Sequence, residues 1–482
     1  MSAAVAAADP PARARRRRVA ALALLALVAA GLLVLLDAAP VARTAERRTY
    51  AVAAHMIESG DWLVPVEHGK PRLQKPPLFY WAAAAAASAA GEAKLSTFSL
   101  RLPSALSALA LLAVVYAWGR SQGGFPCGAV SALALLQMAQ YWSIGRRGVA
   151  EMMLALFATA ALFVFDRIYW GGRRRLLPLF FALVALGFLT KATTALLLVG
   201  LPIALQLALD RSFRRVARRD VLAWAGLCAV GCLAWYALML LRVPGACAVL
   251  REALLLPLGL THSIGSATHA RPPWFYLPRL LEVASPAILL APLALVRPAL
   301  TREVFAVPRA RFAPLCFASL LFAFSLIKMK QQHYLAPLLP FLALSLGQLL
   351  VGLHARRPEL VLRAIQVVGV ALLVLAPLVG GALALHLSVS LDGPPALAVA
   401  ISAVVPIAAA VAFLAARRGQ LATFAAASLV ASVTTILVHE VSVRAVAHGI
   451  ETGRISANAR RDRLERALAD HTWLRRLYAP GG

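Results

Sequence analysis

Thirteen apolar runs, most of them about 17–25 residues long, constrain what this chain can fold into more than any other feature. They lie at roughly 19–37, 101–118, 126–144, 149–166, 176–190, 194–210, 221–241, 277–296, 312–327, 334–353, 361–388, 395–416 and 420–440. A run of that length, wound as a helix, crosses the hydrocarbon of a bilayer. Every backbone amide there must be bonded within the protein, and these runs lack the alternation of barrel strands, so helices are the consistent answer. The short run 176–190 can join 194–210 as a helical hairpin with Thr190-Lys191-Ala192 at its tip. Composition agrees: 61% of the 482 residues are hydrophobic and 15% charged, against about 45–50% and about 25% in soluble domains. The expected fold class is an all-α polytopic membrane bundle over 19–440. A basic cytoplasmic N-terminus (1–18) precedes it and a short tail (441–482) follows.

The formal charge is +28. Its distribution gives an orientation. With the N-terminus in the cytoplasm, the short loops on that side and residues 1–18 hold 24 basic residues in 75 positions, the positive-inside bias. The tail then lies on the outer side. Clusters such as Arg173–Arg175 sit at helix ends without interleaved aromatics. Topology and anionic lipid explain them, and no nucleic-acid partner is implied. Five cysteines in apolar surroundings lack the spacing of a zinc site or a disulfide framework.

Two outer segments, 38–100 and 242–276, are too long to be turns, and long loops on a rigid scaffold usually carry function. In the first, 44–58 read as an amphipathic helix capped by Thr44 and ended at Gly60. An extended piece leads to Gln74-Lys75-Pro76-Pro77, and 78–91 suit a short interfacial or re-entrant helix. All six lysines (Lys70, Lys75, Lys94, Lys191, Lys328, Lys330) fall on the outer side, while arginine fills every cytoplasmic position. Lysine is a compact charge on a flexible stem that suits phosphate. The pattern points to a phosphate-bearing ligand at the outer interface.

These residues carry a resemblance. Glu46–Tyr50, Gly60-Asp61-Trp62 and Gln74-Lys75-Pro76-Pro77, then Gly145-Arg146-Arg147 with Glu151, Thr190-Lys191, Pro273-Trp274-Phe275-Tyr276 and Lys328–Pro337 occur in that order. They resemble the superfamily of aminoarabinose (lipid A) transferases and protein O-mannosyltransferases, which are GT-C glycosyltransferases. The resemblance implies a GT-C bundle of about 13 transmembrane helices with amphipathic helices in the first periplasmic loop. It implies an inverting enzyme that moves a sugar from a polyprenyl-phosphate donor to a lipid, glycan or protein acceptor, working as a monomer at the periplasmic face of the bacterial inner membrane. Glu46 stands where the family has its catalytic acid. Lys75, Arg146, Arg147, Lys191, Lys328, Lys330 and Tyr334 would contact the donor phosphate. Arg47, Arg48, Tyr50, Glu151 and His333 would lie toward the acceptor, with Glu151 able to pair with Arg147. The family's divalent metal (Mg, Mn or Zn) would fall to His269, although Gln74 replaces a family glutamate. A lipid or polysaccharide transporter and a non-catalytic relative are the alternatives. A transporter would show inverted repeats and midplane charges, and neither stands out in this chain.

Overall fold

The computed structural model describes 44–215, 218–255, 271–296 and 298–371, with short stretches within 26–41 and 406–430. The chain divides into two compact units, Met1–Leu36 with Arg43–Val368, and Asp37–Ala42 with Gly369–Gly482. The first unit holds every feature described below except one: in the second unit the Arg417 guanidinium lies against the Phe413 ring.

The first unit is helical almost throughout. The first loop contributes α1 (Thr44–Ser59), a two-stranded ribbon of β1 (Val66–Glu67) and β2 (Lys70–Pro71), and α2 (Leu78–Ala89). The bundle follows with α3 (Thr97–Leu136), α4 (Ala139–Gly145), α5 (Glu151–Tyr169), α6 (Leu177–Leu209), α7 (Arg219–Arg242) and α8 (Ala246–Leu255). It closes with α9 (Tyr276–Val283), α10 (Pro308–Leu326), a 3-10 stretch at Gln332–Leu338 and α11 (Leu339–His354). Six helices among the described residues are long and apolar enough to cross a membrane. The chain is a multi-pass membrane protein. Its outward faces agree: on α7, Leu222, Leu227, Val230, Leu233 and Leu241 are exposed, while the buried Cys232, Trp235, Tyr236 and Met239 form one stripe at helical spacing.

Two long helices are each a pair of arms. α3 breaks at Gly123 and Gly124, where Gly124 takes φ +71°, a turn conformation that glycine adopts without strain. α6 breaks at Lys191 and Ala192, the tip expected from the sequence. Gly187 and Ala195 are close neighbours across that tip, whereas residues eight apart in a straight helix lie about 12 Å from each other. The expected span 277–296 is not one helix. Its halves, Pro273–Val283 and Ala287–Val296, meet at 104°. Pro286 and Pro292 remove amide donors at the bend and prevent a continuous ladder.

Polar groups gather at the two ends of the bundle. At one end Arg309 donates to the fully buried Asp166 (2.7 and 2.9 Å) and to Ser121 (3.3 Å). Tyr169 donates to Asp210 (2.7 Å), and Arg174 pairs with Asp220. These are the loops expected to share the cytoplasmic side. The other end carries the first loop, the 145–151 turn, the Lys191 tip and the stretch before α11.

Candidate active site at the lysine-bearing end of the bundle

Glu46 enters in the first turn of α1 and is 3% exposed. Both its oxygens meet the Arg101 guanidinium, Nε to Oε1 at 2.7 Å and Nη2 to Oε2 at 3.1 Å. Oε1 also accepts the Gly148 amide at 2.8 Å. Gly148 has no room for a side chain, because a Cβ there would stand 2.5 Å from the buried Leu100. The carboxylate therefore joins α1, α3 and the 146–150 turn, and Arg101 extends the join to the Leu36 carbonyl (2.9 Å).

The stretch expected to be extended after Asp61 contains a tight hairpin. His68 (φ +49°) and Gly69 (φ +75°) turn β1 back onto β2. This is the left-handed pair that two-residue hairpins need. Two indoles hold the preceding loop: Trp81 donates to the Trp62 carbonyl (2.5 Å) and Trp235, on α7, to the Leu63 carbonyl (3.1 Å). Leu73 packs in the same buried cluster as Trp235, Phe188 and Met239. Lys75 follows, half-buried, with no hydrogen-bonded or ion-paired partner among the described residues. Burial lowers its pKa; Glu151 opposes this, while Lys191, Arg72 and Arg48 add to it, and the result is about 8.

Glu151 begins α5 and is 2% exposed. Lys191 Nζ bonds it at 3.0 Å, and His333 Nε2 stands 3.6 Å away. Lys191 also lies over the Tyr334 ring, 4.5 Å from its centre. The expected pairing of Glu151 with Arg147 gives way to this one, because α5 starts at Glu151 and the two residues do not share a helix face. Glu151, Lys191, Thr193, Thr194, Tyr276 and Tyr334 line a cavity of about 130 Å³, with Leu197 and Phe324 on its apolar wall. Lys75 and Arg147 are close enough for their charges to act on this cluster. Burial at a helix start and the fold of the 190–192 tip thus bring Lys75, Arg147, Glu151, Lys191, His333 and Tyr334 together.

Other expected contacts go elsewhere. Lys330 is buried and donates to the Arg271 carbonyl (3.1 Å) and to that of Ile327, so it staples the segment before α9 to the end of α10. Arg146 Nη1 reaches the carbonyls of Gly31 (2.6 Å), Leu32 (3.2 Å) and Val34 (3.0 Å), where a cation favours a helix C-terminus. Lys328, Arg47 and Arg48 are exposed, and Arg48 lies 3.6 Å from Glu67. Tyr50 is half-buried on α1. His269 lies outside the described residues. Among the described residues no three His, Cys, Asp or Glu side chains come together as a metal site. Glu46 and Glu151 already answer to cations, and Gln74 is exposed. The described donors do not fit a metal. Sequence reading missed Trp235 as a member of this end and Arg101 as the partner of Glu46, since each acts through a partner 55 or more positions away.

Residues 74–240 match the dolichyl-phosphate-mannose-protein mannosyltransferase family. The structure superposes on ArnT from Cupriavidus metallidurans, crystallised bound to undecaprenyl phosphate, with a TM-score of 0.72 at 21% identity. That match covers 89% of this chain and 79% of that one. The chain has the GT-C fold of ArnT. The undecaprenyl phosphate-alpha-4-amino-4-deoxy-L-arabinose arabinosyl transferase of Pseudomonas paraeruginosa is 30% identical over 348 residues, covering 69% of this chain and 60% of that protein. The enzyme of the same name from Pectobacterium atrosepticum is 29% identical over 332 residues (66% and 56%). An uncharacterised protein of Aquifex aeolicus is 29% identical over 199 residues (41% and 43%). The chain thus spans 43–60% of the length of these three relatives. The GT-C bundle expected from the sequence is the fold observed, with the mannosyltransferase match running from Gln74 to Leu240, through Lys75 and Lys191.

Proposed function

We propose that this protein is an integral membrane glycosyltransferase of the bacterial inner membrane. It moves a sugar from a polyprenyl-phosphate donor to an envelope acceptor (a lipid A-like lipid, a glycan or a protein) at the periplasmic face, with its N-terminus in the cytoplasm and its C-terminal tail periplasmic. The observation that carries the reading is the cluster of Lys75, Lys191, Arg147 and His333 around one buried carboxylate, beside an apolar-walled cavity at the end of a GT-C bundle. The names of the aminoarabinosyl transferase relatives, and the undecaprenyl phosphate bound by ArnT, support a lipid-linked donor.

The chemistry follows from the arrangement. The acceptor hydroxyl attacks the anomeric carbon, the bond from that carbon to the phosphate oxygen breaks, and the sugar inverts. Charge grows on the departing phosphate, and a fixed cation beside it lowers the barrier. Lys75 and Lys191 supply that charge, and Tyr334 stands beside Lys191. The carboxylate that faces the cavity is Glu151, so it orients the acceptor hydroxyl and takes its proton. Glu46, clamped by Arg101, positions the first loop instead. The test is sugar transfer in membranes from an undecaprenyl-phosphate-linked sugar. Lys75→Ala and Glu151→Ala are each expected to lower turnover by about 100-fold or more, and full activity in both would overturn the assignment.

A further inference from the structure

The cavity contains a conflict that the transfer reaction has to resolve. The cation lining it, Lys191, is the group that a phosphate needs, yet Glu151, the sole carboxylate among the described residues lining it, already engages it. Lys191 is bonded to it at 3.0 Å and His333 is 3.6 Å away. A carboxylate 2% exposed among cations cannot rely on water for its solvation. A phosphate arriving at the same cations would face a second anion in a poorly screened site, where like charges repel strongly.

Lys191 is built to move between the two. It occupies the broken tip of α6, with φ −155° and ψ 47°, followed by Ala192 at φ +31°. Its position is therefore not locked by a continuous helix. Its Nζ rides over the Tyr334 ring at 4.5 Å. The ring attracts a cation across its whole face, and the four-carbon stem lets the ammonium cross it. Lys191 can thus leave the carboxylate without leaving its aromatic support.

We propose that Glu151 is a built-in competitor for the donor's phosphate: Lys191 passes from the carboxylate to the phosphate as the lipid binds, and this exchange releases Glu151 toward the acceptor. The inference rests on the proposed transferase reading. It explains why one site holds both cations for a phosphate and a carboxylate for a hydroxyl. Each neutralises the other until the donor arrives, so the carboxylate becomes available only when there is a sugar to transfer.

The exchange predicts an effect opposite to that of an ordinary binding residue. Glu151→Gln should bind undecaprenyl phosphate about tenfold more tightly than the wild type, with a lower KM and a strongly reduced kcat. Binding is measured by titrating the purified full chain in detergent with undecaprenyl phosphate, beside a thermal melt of each variant. In the Lys191→Gln background the gain should shrink to less than about threefold, because no ammonium remains to be exchanged. The double variant removes the buried pair as a unit; if Glu151→Gln alone does not fold, the double variant is compared with Lys191→Gln, and a gain of about tenfold between those two would overturn the exchange. Unchanged or weaker binding by folded Glu151→Gln would overturn the exchange. An equal tenfold gain in both backgrounds would overturn it too, leaving Glu151 as a repelling charge only. A wild-type chain that binds no undecaprenyl phosphate would sink the transferase reading itself, so the two failures are distinguishable.

Discussion

At the scale of single residues, the lysines that looked alike in the sequence have three fates. Lys330 is spent on two backbone carbonyls, Lys191 is paired with Glu151, and Lys75 is half-buried without a partner among the described residues. Lys75 is consequently the cation most sensitive to pH. Its pKa is lowered to about 8 by burial and by the neighbouring Lys191, Arg72 and Arg48. The sign is direct: below that pH Lys75 carries the charge a phosphate needs, and above it the charge is lost before the ligand binds. Affinity for undecaprenyl phosphate is therefore expected to fall as pH rises through about 8, by up to about tenfold per unit. Lys75→Arg keeps its charge across the range and should flatten the fall. A wild-type profile that stays flat between pH 7 and 10 would remove Lys75 from the phosphate site.

At the scale of elements, the Glu46 clamp decides how the first loop is presented. It joins α1, α3 and the 146–150 turn through a buried bidentate pair and one amide. Breaking such a pair from one side costs about 3–5 kcal/mol, because the remaining charge is buried alone, whereas replacing both partners with apolar groups is far less costly. Glu46→Ala is thus expected to lower the melting temperature and the activity together. The double variant Glu46→Leu, Arg101→Met should recover most of the stability and a part of the activity. A Glu46→Ala protein of unchanged stability but abolished turnover would instead give Glu46 a chemical role. The sequence pointed to Glu46 because its position and type match a family acid. It could not reveal Arg101 as the partner, since that pairing spans 55 positions.

At the scale of the whole molecule, the charges sort to two ends and each end is tied by long-range pairs. Opposite the site, Arg309 on α10 holds the fully buried Asp166 at the end of α5 and reaches Ser121 on α3. Asp166→Asn leaves a guanidinium facing a neutral amide and should destabilise the bundle by about 3 kcal/mol. It should not alter the affinity for undecaprenyl phosphate of the protein that remains folded. A thermal melt and a binding titration on the same sample check both halves, and an affinity loss beyond about threefold would mean that the two ends are coupled.

The apolar runs alone determined that this chain is a helical membrane protein, since a bilayer leaves a long apolar segment no other way to satisfy its amides. The same reading located the hairpin tip at Lys191, where a polar residue interrupts two short apolar arms. The arginine loops that it placed on one side do meet at one end of the bundle. Tertiary structure alone decided which charges gather beside the cavity, where Glu151 and Lys191 line it. Lys75, Glu151, Lys191 and His333 come from four separated stretches, and periodicity along a chain carries no information about which helix ends converge. Burial then set their chemistry. The same packing that closed Glu46 against Arg101 left Glu151 open to the cavity, and it lowered the pKa of Lys75 to about 8, which its place in the Gln74-Lys75-Pro76-Pro77 motif did not reveal.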